Sequence, residues 1–157
     1  MAEQTTDAGF EQVLEEHREL RGLVAEMRQF LEQPRPPVAS PQAPTWAGDL
    51  ADRLVLFHDK ANKHFRAEER SGFLDQLANA KPSATRVVVQ LQAEHDRILG
   101  DLRSILEASM VYARNTEPER ASLRRWTGVV LDRFEQHEHD ETELTQDLVC
   151  DDFGVGD

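Results

Sequence analysis

The sequence predicts an all-α fold, an antiparallel up-down-up-down four-helix bundle with pseudo-twofold halves, from three observations. Apolar residues recur with helical spacing in four separate stripes, proline and glycine cluster between stripes, and the stripes repeat in matching halves. At 157 residues the chain suits one domain with a real core, taken here as residues 1–157.

The first stripe is Phe10, Val13, His17, Leu20, Val24, Met27 and Leu31, stepping alternately by three and four over a helix at about 8–32. Residues 33–46 hold Pro34, Pro36, Pro37, Pro41 and Pro44, a density no helix interior tolerates, and read as a long loop. A second helix at about 47–78 carries Leu50, Leu54, Phe57, Ala61, His64 and Glu68 on one face, with Ser71-Gly72 as a possible break. Ser83, after Pro82, is the candidate cap of a third helix at about 83–112, striped by Val88, Leu91, His95, Ile98, Leu102 and Ile105. Thr116-Glu117-Pro118-Glu119 is a capping-box pattern opening a fourth helix at about 117–148. Its stripe is Trp126, Val130, Phe134, His137, Glu141, Leu144 and Leu148, followed by an acidic tail at 149–157.

The halves correspond residue by residue. Glu16-His17 with Gly22 matches Glu94-His95 with Gly100, and His64 with Glu68 matches His137 with Glu141. Each half is a helix with one inward imidazole, followed by a helix with an inward imidazole and carboxylate one turn apart.

Six polar groups, His17, His64, Glu68, His95, His137 and Glu141, thus lie on faces that otherwise point into the core. An unpaired buried carboxylate costs several kcal/mol, and Lys and Arg are absent from these stripes near the six positions. A metal cluster supplies the missing charge. Imidazoles with carboxylates suit first-row divalent ions better than calcium or magnesium, and six ligands exceed the four of a structural zinc site. Two ions bridged by Glu68 and Glu141, with His17 and His64 on one and His95 and His137 on the other, use every group.

The order His, His-x-x-x-Glu, His, His with carboxylate on four helices resembles the hemerythrin-like, or HHE cation-binding, family over roughly residues 10 to 148. The resemblance implies a four-helix bundle with two iron ions, oxo- or hydroxo-bridged. It carries His17, His64, Glu68, His95, His137 and Glu141 over as ligands. Two departures stand out. Leu91 and Leu99 occupy the places where oxygen carriers have a second histidine on the third helix, and Thr142 fills the usual aspartate position, with Glu141 one residue earlier. The pattern is similar to variant members with fewer histidines, such as the iron- and oxygen-sensing domain of a eukaryotic F-box ubiquitin-ligase subunit and some bacterial stand-alone proteins.

The expected function is therefore binding or sensing of a small diatomic or peroxide ligand, or of iron itself. The alternatives are a peroxide-decomposing enzyme and a bundle that holds metal for stability alone. A formal charge of -12 argues against nucleic acid and anionic membranes, and no apolar run nears the roughly 20 residues of a membrane span, so a cytoplasmic setting is expected. Glu16 and Glu69 are turned about 100° from the ligand faces and read as solvated helix charges. His58 and His139 point away from the cluster, while Trp46, Trp126, Phe57, Phe65 and Phe134 read as packing, and Cys150 as incidental.

Overall fold

A computed structural model describes the backbone of residues 3–111 and 116–153 and the side chains of 12–111 and 116–147. Phe10, Leu148 and Cys150 lie outside the described side chains. The described chain is all-helical: α1 (Glu3–Glu32), α2 (Ala43–Ser71), α3 (Phe73–Ala80), α4 (Thr85–Val111) and α5 (Glu117–Phe153), with a 3-10 turn at Pro82–Ala84. No helix among the described residues is long and apolar enough to cross a membrane.

α1 begins earlier than expected, at Glu3, and α5 runs on to Phe153, into the stretch read as an acidic tail; three further boundaries differ, each for a local reason. The second helix is split, because Gly72 adopts φ +68° and donates its N–H to the Glu69 carbonyl, ending α2 in a left-handed cap. Residues 73–80 therefore form a separate short helix. α2 also starts earlier, at Ala43, because Pro44 sits in its first turn, where the missing N–H has no helical acceptor to lose. The chain enters α4 through the 3-10 turn, with the Thr85 hydroxyl donating to the Pro82 carbonyl at 2.9 Å, instead of through a Ser83 cap. At α5 the Thr116 N–H donates to the Glu119 carboxylate at 3.0 Å, one arm of the capping box.

α1 packs on α2 and α5, and α4 packs on α2 and α5. Leu20, Val24, Met27, Leu50, Leu54, Phe57, Phe65, Ile98, Leu102, Leu131 and Phe134 form the main core. A smaller apolar cluster of Leu74, Leu77, Ala84, Val88, Leu91 and Leu144 lies beyond it along the helices. Between the two, every helix that reaches both presents polar residues inward. α3 exists to close the second cluster, and so caps that polar layer from the far side.

Trp46 packs as expected, stacked on Phe30 with ring centroids 5.8 Å apart. Trp126 does not: it is 42 % exposed, while Leu123 and Thr127 take the inward places. The α5 stripe enters the core one residue out of phase there, since 123, 127, 130, 131 and 134 share the buried face. The proline-rich loop is pinned rather than loose. Buried Arg120 donates to the Pro36 carbonyl at 2.5 Å, and Arg124 donates to the Leu31 carbonyl at 2.7 Å.

Candidate metal centre

α1 delivers His17, α2 delivers His64 and Glu68, α4 delivers His95, and α5 delivers His137, Glu138 and Glu141, all of them buried. The structure thus brings together all six residues singled out in the sequence, and adds Glu138. His17 Nε2 lies 2.9 Å from His64 Nε2. Glu68 spans the layer, with Oε1 2.8 Å from His64 Nε2 and 3.5 Å from His17 Nε2, and Oε2 3.3 Å from His95 Nε2. Glu141 does the same more loosely, 3.9 Å from His17 through Oε1 and 3.9 Å from His137 through Oε2. Glu138 Oε1 lies 3.7 Å from His17 Nε2 and 3.9 Å from His64 Nε2.

Two sets follow, His17 with His64, Glu138 and Glu141, and Glu68 with His95 and His137; within each, the donor atoms lie within 4.8 Å of one another.

Behind three of the imidazoles stands a second carboxylate. Glu16 is 3.1 Å from His64 Nδ1, Glu69 is 3.1 Å from His95 Nδ1, and Glu94 is 3.1 Å from His137 Nδ1. An ionised carboxylate only accepts, so each Nδ1 donates to its carboxylate and Nε2 is the ring atom left facing inward. Glu16 and Glu69 are therefore neither ligands nor free surface charges: each reaches across to a histidine on a neighbouring helix. This also accounts for the repeated Glu-His dipeptide, because Glu16 and Glu94 each support the histidine of the following helix in their own half.

The inward atoms lack ordinary partners. Both oxygens of Glu68, both of Glu138, Glu141 Oε2, His95 Nε2 and His137 Nε2 are buried without a hydrogen bond among the described residues. Buried polar groups are rarely left so, and seven orphaned atoms converging on one layer are what a cation would satisfy. Imidazole with carboxylate is the donor set of first-row divalent ions, so the residues fit such a group.

Charge in the metal-free layer distributes unevenly. Burial raises the Glu68 carboxyl, but the close imidazoles of His17, His64 and His95 outweigh it and hold the group well below the usual range. Burial, then the charges of Glu68 and Glu138, pushes Glu141 up to about 10. Glu138 is raised by burial as well, despite the nearby imidazoles. Burial lowers His64, yet Glu68, Glu16 and Glu138 together leave it raised, whereas burial and His95 lower His137. Glu68 is thus held toward its charged form, while burial pushes Glu138 and Glu141 toward the protonated form, from which a metal would displace the proton.

Aromatic rings close the layer on its core side. Phe65 stacks on His95 at 4.1 Å between centroids and meets His137 edge-on at 5.3 Å, and Phe57 and Phe134 pack beneath at 5.0 Å. His139 is exposed and pairs with Glu143 at 3.3 Å, and neither it nor His58 joins either set.

Glu138 escaped the sequence reading because it sits one residue from His137, which suggested another face. Its signal was present nonetheless: Phe134, Glu138 and Glu141 step by four and three, the same stripe rule that found the others.

Fold and site together define a helical bundle built around a buried, imidazole- and carboxylate-rich cation centre. The chain belongs to the hemerythrin HHE cation-binding domain family, whose model matches residues 8–148. No curated protein and no solved structure gave a significant match.

Proposed function

We propose that this protein is a non-haem di-iron protein that binds or senses a small oxidant ligand, oxygen, peroxide or nitric oxide. The carrying observation is the orientation of the imidazoles. Carboxylates behind His64, His95 and His137 engage each Nδ1, so their Nε2 atoms face a layer holding five carboxylate oxygens without a hydrogen bond among the described residues. His17, His64, Glu138 and Glu141 would hold one ion, and Glu68, His95 and His137 the other, with Glu68 and Glu141 each offering an oxygen toward both. Iron there supplies reversible electron transfer and exchangeable coordination positions.

The chain's own residues do the rest. Phe57, Phe65 and Phe134 keep bulk water from the core side, Glu16, Glu69 and Glu94 hold the rings in register, and Glu141 gives up its proton when the centre loads. An up-down-up-down course of α1, α2, α4 and α5 accompanies this reading. It is supported by Arg28 meeting Asp132 and Glu135 while His17 faces Glu141, and by Arg66 meeting Asp96 while His58 feels Arg103.

Protein purified in air should carry about two irons per chain and show charge-transfer absorption in the near ultraviolet. Added peroxide should give a stoichiometric spectral change without sustained oxygen release. Sustained release would convert the reading to a peroxide-decomposing enzyme; zinc, or a fully folded chain that takes up no iron, would overturn it.

A further inference from the structure

We propose that the cleft bounded by Val13, Leu14, Phe73, Thr142 and Thr145 is the passage and docking site by which a small uncharged molecule reaches the centre, arriving at His17 and Glu141. This rests on the metal-centre reading above and names the side from which that centre is approached.

The cleft is a cavity of about 150 Å³ between α1, α3 and α5, and His17 and Glu141 are part of its wall. It is there because the repeat is broken at one position. In the first half Glu69, the residue after the inward Glu68, reaches His95 Nδ1, and Arg66 holds it at 2.7 Å. The matching place after Glu141 is Thr142, too short to reach an imidazole, and its hydroxyl instead donates to the Glu138 carbonyl at 2.8 Å. Among the described residues His17 alone of the four imidazoles has no carboxylate at Nδ1. It is also the most accessible, its side chain 9 % exposed against 1 % for His64 and 0 % for His95 and His137.

Chemistry selects the visitor. Val13, Leu14 and Phe73 give hydrocarbon walls, the Thr145 hydroxyl, like that of Thr142, is committed to a carbonyl of its own helix, Glu141 at 2.9 Å, and exposed Gln146 adds a neutral amide. No Lys or Arg lines the cleft, so an anion finds no counter-charge, and Glu141 in its wall turns Oε1 toward His17, 3.9 Å from its Nε2. At about 150 Å³ the cleft has room for a diatomic, hydrogen peroxide or an uncharged molecule up to about the size of benzene. Another hollow that touches an imidazole, between α1 and α2, is lined by Glu15, Glu16, Glu19, Lys60 and Lys63, and Glu16 covers the His64 edge facing it.

Two variants close the cleft in different ways. Thr142→Glu restores the missing symmetric carboxylate over His17, and Leu14→Trp fills the mouth with bulk at an exposed position. In the reduced, iron-loaded full chain, stopped-flow association of nitric oxide should slow at least tenfold in both, with iron content, melting temperature and final spectral amplitude unchanged. Lys63→Trp, at the rim of the α1–α2 hollow, should leave the rate as it is. Slowing by Lys63→Trp with none from the other two overturns the proposal in favour of the charged hollow. Xenon-pressurised crystals provide a readout independent of iron: a xenon site among Leu14, Phe73 and Thr145 is expected, and its absence overturns the proposal. A chain that never takes up iron defeats the functional reading, yet still answers the xenon experiment.

Discussion

A single proton position on each imidazole decides whether this layer attracts a cation, and Glu94 shows how the chain sets it. Its carboxylate, 3.1 Å from His137 Nδ1, keeps Nε2 free to face inward. Glu94→Ala should lower iron affinity by about 10- to 100-fold, the usual cost of losing such a partner, while Glu94→Gln, which still offers an accepting oxygen, should recover most of it. Chelator competition measures both; equal losses would mean that Glu94 acts through charge alone. Glu68 stands differently, because it touches three of the rings itself. Glu68→Ala should abolish iron loading, read by metal analysis, and bring the melting temperature of the aerated protein down to that of chelated wild type. The six inward residues were legible because a polar side chain on an apolar stripe is conspicuous. Glu16, Glu69 and Glu94 were not: a carboxylate beside the stripe looks the same in sequence whether it meets water or the back of a ring on another helix, and only packing separates the two.

Helix ends in this chain are decided by one or two residues each, and these follow rules that sequence reading applies unevenly. Four amphipathic stripes, the proline-rich connection and the Thr116 capping box could be read directly, since periodicity and capping are local. Whether Gly72 merely bends a helix or ends it depends on φ, and at +68° it ends α2 just after Glu68 and lets α3 fold over the site. A Cβ at Gly72 would meet nothing within 4 Å, so Gly72→Ala suffers only the left-handed backbone penalty, about 1 kcal/mol. A correspondingly lower melting temperature is expected with iron stoichiometry retained. A larger loss accompanied by loss of iron would show that the break also positions Glu68. The phase of α5 was misjudged at Trp126 for the opposite reason: burial there is set by neighbours on two sides, so a four-residue step fits the pattern without facing the core.

The whole molecule sandwiches one ionisable layer between two apolar clusters, so its stability without metal must depend on pH through that layer. Glu141, raised from 4.5 to about 10, keeps its proton in the folded chain across a range where the unfolded chain has lost it. The folded state then binds more protons, and stability falls as pH rises through that window, by at most about 1.4 kcal/mol per pH unit for one group. Glu138 and His64, both raised, add slopes of the same sign. Two groups oppose them, but only at lower pH. The stability from Glu68, whose carboxyl is lowered, is complete above 4.5 and is lost as pH falls through its folded value, and that from the lowered His137 is lost below 6.5. Above pH 6.5, then, every contribution points downward in the chelated protein. Iron loading displaces those protons and should flatten the curve. Denaturant unfolding of chelated and iron-loaded protein at pH 6.5, 7.5 and 8.5 tests this, starting from the ordinary histidine value of 6.5. A chelated chain whose stability holds level across the three would mean that Glu138, Glu141 and Glu68 do not share one buried layer.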